Sequence, residues 1–287
     1  MPTAAKRTLS IRDHSRDSAG LEYVYPVVSR RAGGVSIGIN LNPNNACNWR
    51  CIYCQVPNLT RGSAPPIDLA QLEQELRTFL HQVYDGDFLL QQVPADARRI
   101  NDIAISGNGE PTSAARFEAV IERVRDVRNE FPAARTLKII LITNGSLIQR
   151  AGVQRGLATL AQAGGEIWFK IDAATKEGMQ RINSVAGSPA RVLKNLLTAT
   201  ALCPTYIQTC LFATAGAAPS EDERDAYIAL LREALARGAA LKGVFLYGLA
   251  RPSLQPEAAQ LKALPAAWLE EFGRSVAALG LAVKIVE

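Results

Sequence analysis

The stretch Asn45-Ala46-Cys47-Asn48-Trp49-Arg50-Cys51-Ile52-Tyr53-Cys54 places three cysteines within eight residues, in the spacing Cys-x3-Cys-x2-Cys. Thiolates are the ligands that iron–sulfur clusters, zinc and copper(I) prefer. A four-iron cluster normally takes four cysteines. A compact set of three therefore predicts a four-iron cluster in which one iron has no protein ligand and can hold another molecule.

The sequence on either side of the cysteines predicts parallel β-structure. Residues 35–41 alternate apolar with small or polar side chains, as a strand does, and lead directly into the cysteines. Further apolar runs, predicted as strands, lie at 102–106, 137–142, 167–171, 206–213, 242–248 and 281–286, and helical patterns lie between them at 67–83, 114–130, 147–163, 174–201, 220–237 and 264–279. Six strand–helix pairs indicate an α/β fold, an open, partial (β/α)6 TIM-like barrel, because a full barrel would need two more pairs.

Residues 1–34 show no sustained period. We expect a short N-terminal extension packed on the core, with Tyr23, Val24, Tyr25 and Val27 as its anchors, and one barrel domain over 35–287.

The composition is that of an ordinary globular protein, with 48% hydrophobic and 21% charged residues among 287. The sequence shows neither an apolar run of about 18 residues nor a secretory signal, so we expect no membrane span and a cytoplasmic protein. Five cysteines, grouped three and two, do not resemble a disulfide framework. Cys203 and Cys210 are predicted to be buried core thiols.

The net charge of +5 is concentrated near the N-terminus. Residues 1–61 carry eight basic residues against Asp13, Asp17 and Glu22, and 8 − 3 = +5, so the other residues balance. A basic face could attract RNA or an anionic small molecule; the alternative is a solvated surface. The eight are Lys6, Arg7, Arg12, Arg16, Arg30, Arg31, Arg50 and Arg61.

Polar or glycine-rich segments follow five of the predicted strands, where barrel enzymes place their chemistry. Gly107-Asn108-Gly109-Glu110-Pro111 follows the second strand. Its glycines would let the backbone approach a ligand, and Glu110 could position a cationic group or merely cap its own turn. A dinucleotide fingerprint is disfavoured, because Thr112 occupies the position of the third glycine.

These motifs resemble the radical S-adenosylmethionine (radical SAM) superfamily over roughly residues 35–250. The cysteine spacing, with an aromatic residue before the last cysteine, is similar to the cluster motif, and residues 107–111 are similar to the motif that binds the methionine end of the cofactor. The Gly-x-Gly-Glu-Pro-Thr form resembles the wyosine-type tRNA-modifying branch. Unlike archaeal wyosine synthases, this chain has no cysteine before Cys47.

The resemblance implies a set of roles. Cys47, Cys51 and Cys54 would bind a [4Fe–4S] cluster whose open iron holds S-adenosylmethionine, and one electron would cleave that cofactor to a 5′-deoxyadenosyl radical, which abstracts hydrogen from the substrate. The electron would come from an external flavodoxin or ferredoxin-like donor. The implied cofactor contacts are Tyr53 at adenine, Gly107, Asn108, Gly109 and Glu110 at the methionyl amine, and Asn144 and Asp172 at ribose or carboxylate; Lys170 and Arg251 are candidates for contact with substrate.

The substrate stays open at this stage. The wyosine-like motif and the basic N-terminus favour RNA, whereas the lack of a recognisable RNA-binding module leaves a small metabolite or a peptide as the alternative. A third hypothesis is a non-catalytic metal-containing nucleic-acid-binding protein, which the missing fourth ligand disfavours. His81, on a predicted helix, is expected to face solvent.

Overall fold

The computed structural model describes residues 8–10, 20–29, 33–249 and 251–286. Over these residues, eight strands form one sheet in chain order. Each neighbouring pair is parallel except the first two strands, and the linear order leaves the sheet open. This confirms the predicted partial barrel. The strands are β1 Val24–Ser29, β2 Gly34–Ile39, β3 Ile100–Ile105, β4 Lys138–Thr143, β5 Glu166–Lys170, β6 Thr205–Cys210, β7 Leu241–Tyr247 and β8 Val283–Val286.

Amphipathic helices connect the parallel strands and cover one face of the sheet. The first of them begins where Asp68 Oδ1 accepts the backbone N–H groups of Ala70 and Gln71, both at 3.0 Å. It buries Leu72, Leu76 and the residues of the same stripe, as the spacing predicts. The helices are α1 Leu69–Tyr84, α2 Phe117–Glu130, α3 Ala151–Gln162, α4 Pro189–Leu202, α5 Glu221–Ala236 and α6 Ala266–Ala277.

One predicted helix, 174–201, is in fact three elements. A short turn, Lys176–Gly178, runs into a π-helix, Met179–Asn183, and α4 starts only at Pro189. Ser184 is left-handed, with φ 53°, and ends the π-helix. Pro189 occupies the first position of α4, where its missing N–H is tolerated.

Residues 24–29 belong to the sheet. β1 pairs antiparallel with β2, so the sheet crosses the predicted boundary at residue 34, and the expected anchors are buried. Pro26 lies in an edge strand, where a missing N–H is tolerated. The buried Glu75 of α1 accepts the backbone N–H groups of Glu22, Tyr23 and Val24 at 3.2, 2.8 and 3.2 Å.

The described helices are all too short or too polar to cross a bilayer.

Candidate active site

The three cysteines lie in a loop, residues 43–61, that follows β2. We call it the cysteine loop. Cys47 ends a two-residue strand that pairs with Thr60–Arg61, which closes the base of the loop. All three cysteines are half-buried free thiols. Within the described ranges, no set of His, Cys, Asp or Glu side chains converges to hold a single metal ion; a four-iron cluster is larger and needs its thiolates spread around it.

The π-helix holds the middle of the cysteine loop. The backbone N–H of Arg50 donates to Asn183 O at 3.1 Å, and that of Ile52 donates to Ile182 O at 2.9 Å. Ser184 Oγ returns a bond to Arg50 O at 2.9 Å. Cys51 therefore lies between two backbone hydrogen bonds to one short element.

The segment after β7 holds the other side of the loop. Ser253 Oγ donates to Ile52 O at 2.7 Å, and the backbone N–H of Leu254 donates to Cys54 O at 2.9 Å. Arg50 forms a two-bond ion pair with Glu257, at 2.6 and 2.8 Å. Segments far away in sequence thus fix the cysteine loop from two sides.

The segment 107–110 packs directly against the cysteine loop. A Cβ on Gly109 would lie 2.1 Å from Ala46 O, and Gly107 has φ +155° with Asn40 closely apposed. The backbone N–H of Asn108 donates to Asn40 Oδ1 at 3.0 Å. Both glycines are required by this close approach of two backbones.

Glu110 is 2% exposed and accepts four hydrogen bonds. Its Oε1 accepts from Thr112 N–H at 3.1 Å, Thr112 Oγ1 at 2.6 Å and Thr143 Oγ1 at 2.6 Å, and its Oε2 accepts from Asn144 N–H at 2.7 Å. Burial raises the pKa of Glu110, while these bonds oppose the shift. The carboxylate therefore caps its own turn, the alternative that the sequence left open, and joins the ends of β3 and β4.

Asn144 orients the first cysteine through its neighbour. Its Nδ2 donates to Asn48 Oδ1 at 2.9 Å, and its Oδ1 accepts from Ser146 Oγ at 2.6 Å. Asn48 in turn donates to Ser146 Oγ at 2.8 Å. This ring of three polar side chains fixes the backbone next to Cys47.

Tyr53 and Lys170 lie together above Asp172. The Tyr53 hydroxyl donates to Asp172 Oδ2 at 2.5 Å, and Lys170 Nζ lies 4.7 Å from the centroid of the Tyr53 ring. Burial works against the charge of Lys170, but the electrostatic influence of Tyr247 and Asp172 outweighs it and raises the Lys170 pKa. Because tyrosine is neutral at pH 7, the negative charge of Asp172 is what stabilises the Lys170 cation at that pH.

Two cations of the basic N-terminal set are described, and both hold the cysteine loop. Arg50 pairs with Glu257, and Arg61 donates to Asn48 O at 2.5 Å and to Ser184 O. Arg251 lies at the mouth of the site, with Nη1 3.3 Å from Gln55 Oε1. Lys6, Arg7, Arg12, Arg16, Arg30 and Arg31 lie outside the described residues.

One cavity of about 310 Å³ brings most of the predicted site together. Asp172 is the exception: it lies behind Tyr53 and lines a separate cavity of about 620 Å³. The predicted residues that line the first cavity are Cys47, Cys51, Cys54, Tyr53, Gly107, Asn108, Gly109, Glu110, Asn144, Lys170 and Arg251.

The cavity fits a cluster with a small organic cofactor. Three thiols at its wall are the donor set for iron, and an open iron needs a ligand beside it. Asn108 Oδ1 is buried and has no hydrogen-bond partner within the described ranges, so an acceptor is available at the cavity wall.

Sequence reasoning missed two side chains. Asn183 Nδ2 lies 3.2 Å from Cys51 Sγ. No sequence motif around Asn183 predicts this contact, because it depends on a π-helix that the sequence pattern does not indicate. Gln208 lines the cavity from β6, is 2% exposed, and its Oε1 has no partner among the described residues. An amide side chain within a strand predicted to be buried was the available signal.

Two other predictions are confirmed. Cys203 and Cys210 are both buried, 3% exposed. The side chain of His81 is 59% exposed and pairs with Asp85 at 2.6 Å.

Comparison with known proteins gives a family and a fold. The family model described as the Radical SAM superfamily matches residues 41–231. The chain is similar to a radical SAM methyltransferase from Sphaerobacter thermophilus, with a TM-score of 0.55 and 13% identity, over 88% of this chain and 66% of that one. At this identity the similarity shows the fold alone.

Two curated relatives match part of the chain. A GTPase Obg of Brachyspira hyodysenteriae is 29% identical over 46% of this chain and 17% of its own length. A UPF0026 protein of Methanocaldococcus jannaschii is 28% identical over 55% of this chain and 42% of its own. The chain therefore spans less than half the length of either relative.

Proposed function

This chain belongs to the radical SAM superfamily, and we propose that it is an iron–sulfur enzyme that uses S-adenosylmethionine to abstract hydrogen from a substrate. Membership of the superfamily implies a [4Fe–4S] cluster and S-adenosylmethionine as cofactors. When bound, they supply a 5′-deoxyadenosyl radical, formed by one-electron cleavage of S-adenosylmethionine. An external donor, flavodoxin or ferredoxin-like, would provide the electron.

The observation that carries the proposal is the convergence of two separate segments on one cavity. The three cysteines come from the loop after β2, and Gly107–Glu110 from the loop after β3. Glu110 and Asn144 join the ends of neighbouring strands, so hydrogen bonds within the protein hold this part of the cavity wall. Such preorganisation is what a reactive site needs, since the protein must orient its ligands and exclude water.

Each group of residues that lines the cavity has its own proposed role. The three cysteines would hold the cluster, and the 107–109 backbone with Asn108 Oδ1 would face the methionyl end of S-adenosylmethionine. The Tyr53 hydroxyl donates to Asp172, so the aromatic ring is the part of Tyr53 that would contact adenine. Lys170 and Arg251 would face the substrate, because they line the cavity as cations.

We propose an RNA nucleotide as the substrate. The inner part of the cavity combines the apolar Ile140, Ile142 and Trp168 with the unpartnered amide oxygen of Gln208. An unpaired base presents a flat apolar face and an edge of donors and acceptors, and suits such a wall. Because this wall is formed by side chains of the sheet strands, a base could contact it only when unpaired and extruded from its strand.

The test compares substrate sources under identical conditions. The anaerobically reconstituted protein is given S-adenosylmethionine, dithionite and one of three additions: bulk transfer RNA, the same RNA digested to nucleosides, or an RNA-free extract of small metabolites. We expect intact RNA alone to increase 5′-deoxyadenosine formation above the baseline, and the Cys51→Ala variant to show no formation. Stimulation only by the metabolite extract would favour the alternative substrate class and contradict the RNA proposal.

A salt series adds an independent check. Binding of RNA to basic residues should weaken as salt rises, because counterions are released. If RNA binding did not change with salt, the proposal that the basic N-terminal residues attract RNA would be contradicted.

A further inference from the structure

One cysteine of the loop receives a side-chain hydrogen bond. Asn183 Nδ2 lies 3.2 Å from Cys51 Sγ, and Asn183 is 1% exposed. Sulfur accepts hydrogen bonds weakly as a thiol but more strongly as a charged thiolate. The contact therefore gains importance once Cys51 binds iron.

The orientation of this amide follows from its second partner. Asn183 Nδ2 also donates to Asp172 Oδ2, at 3.1 Å. The same carboxylate accepts from the Tyr53 hydroxyl and from the backbone N–H of Cys210. A flipped amide would place its oxygen against the carboxylate oxygen, so the N–H groups must face Asp172 and Cys51.

The π-helix explains why an asparagine from 132 residues away reaches the cysteine. The wider π-turn over Met179–Asn183 ends in the left-handed Ser184, which brings the backbone of 182–183 against residues 50–52. Single π-turns occur frequently at functional sites. The backbone bonds on both sides of Cys51 hold residues 182 and 183 against the cysteine loop, and the bond to Asp172 orients the amide toward the sulfur.

We propose that Asn183 is a positioning residue that raises the reduction potential of the cluster by donating a hydrogen bond to Cys51 Sγ. The inference rests on the proposed function, because it requires a cluster on the three cysteines. Reduction adds one electron, supplied by the reductant, and increases the negative charge on the cluster and its sulfur ligands. A fixed N–H dipole at the sulfur stabilises the reduced state more than the oxidised one, and hydrogen bonds to the sulfurs are among the determinants of cluster potentials.

The experiment measures the midpoint potential of the reconstituted protein by a redox titration followed by electron paramagnetic resonance. Asn183→Leu removes the donor at similar size, and Asn183→Ser keeps a polar group that is too short to reach the sulfur. We expect both potentials to become more negative, by the equivalent of about a tenfold change in the one-electron equilibrium constant, or about 59 mV. Thr205→Val is the control: Thr205 is fully buried at the start of β6, away from the cysteine loop, and donates to Cys203 O, so loss of its hydroxyl should cost stability and leave the potential unchanged.

Each outcome decides the proposal. Unchanged potentials in the loaded Asn183 variants overturn it, whereas a cluster that never forms in the wild type contradicts the proposed function instead. If neither variant retains iron, pulsed resonance on reduced wild type labelled with ¹⁵N at asparagine side chains decides. A hyperfine coupling supports the bond, and its absence overturns it.

Discussion

Glu110 and Asn144 meet where two neighbouring strands end: Oε2 of the buried carboxylate accepts the backbone N–H of Asn144 at 2.7 Å. The other oxygen of Glu110 accepts the hydroxyl of Thr143 at 2.6 Å. A single side chain thus fixes the turn after β3 to the turn after β4. Since both turns line the cavity, the shape of the cavity depends on this carboxylate.

We expect Glu110→Gln to destabilise the protein without cofactors by about 2 to 3 kcal/mol. A glutamine can replace one oxygen as acceptor, but its NH2 group would then face the N–H of Asn144 and leave a buried donor unsatisfied. Urea unfolding would measure the loss. Glu118→Gln is the control, since that carboxylate pairs with Arg155 at the surface and its loss should cost less than about 1 kcal/mol; equal costs would contradict the bracing role of Glu110.

We expect Gly109→Ala to impair iron binding. The new Cβ would lie 2.1 Å from Ala46 O, so the cysteine loop must shift, at a cost of about 1 to 3 kcal/mol. Gly152→Ala provides the contrast, because the nearest atom to a Cβ at that helical position is a flexible arginine end at 3.7 Å. Iron content after reconstitution should fall in the first variant and stay at the wild-type value in the second; full iron content in Gly109→Ala would contradict the close packing of the two loops.

We expect Gln208→Leu to stabilise the protein and to weaken the use of substrate. The buried oxygen has no partner among the described residues, so its removal should raise the free energy of unfolding by about 1 kcal/mol. At the neighbouring position, Thr209→Val should lower the free energy of unfolding, because it removes the hydrogen bond between the Thr209 and Tyr227 hydroxyls, which lie 2.7 Å apart.

The functional readout for Gln208 is 5′-deoxyadenosine formation with and without substrate. Only the substrate-stimulated part should fall in Gln208→Leu. A variant that responds to substrate as the wild type does would remove Gln208 from substrate recognition, and a less stable variant would contradict the unsatisfied state of its buried oxygen.

We expect Cys203 to resist alkylation in the folded protein. Burial raises the pKa of this thiol to about 12, so only about one molecule in ten thousand is a thiolate at pH 8. The raised pKa also means that its contribution to stability is complete below about pH 9 and is lost as the pH rises toward 12. Iodoacetamide labelling followed by mass spectrometry should modify Cys203 at pH 8 only in denaturant; labelling in the native protein would show that the residue is accessible.

The strands and the cysteine loop were predictable because their signals are local. Residues 35–41 alternate as a strand must, and the spacing of Cys47, Cys51 and Cys54 is itself the metal-binding signal. The strand-end rule then located the glycine motif and Asn144. Each of these inferences needs only a few neighbouring residues and a general rule of parallel sheets.

The remaining features depend on contacts between distant segments. Asp172 lies beyond the end of β5, where alternation no longer predicts direction, and it lines a cavity separate from the one that the three cysteines line. The contact of Asn183 with Cys51 depends on a π-helix, and no local sequence pattern predicts that this turn is wider than an α-helical turn. β1 was missed because Pro26 interrupts an otherwise acceptable strand pattern, and only pairing with β2 offsets that cost.

The most direct test of the account is reductive cleavage of S-adenosylmethionine. The protein is reconstituted anaerobically with iron and sulfide, reduced, and assayed for 5′-deoxyadenosine, with Cys51→Ala as the control. We expect a four-iron cluster signal and formation of 5′-deoxyadenosine in the wild type, and neither a stable cluster nor that product in the variant. A wild-type protein that binds no four-iron cluster, or that binds one and forms no 5′-deoxyadenosine with a competent reductant, would contradict it.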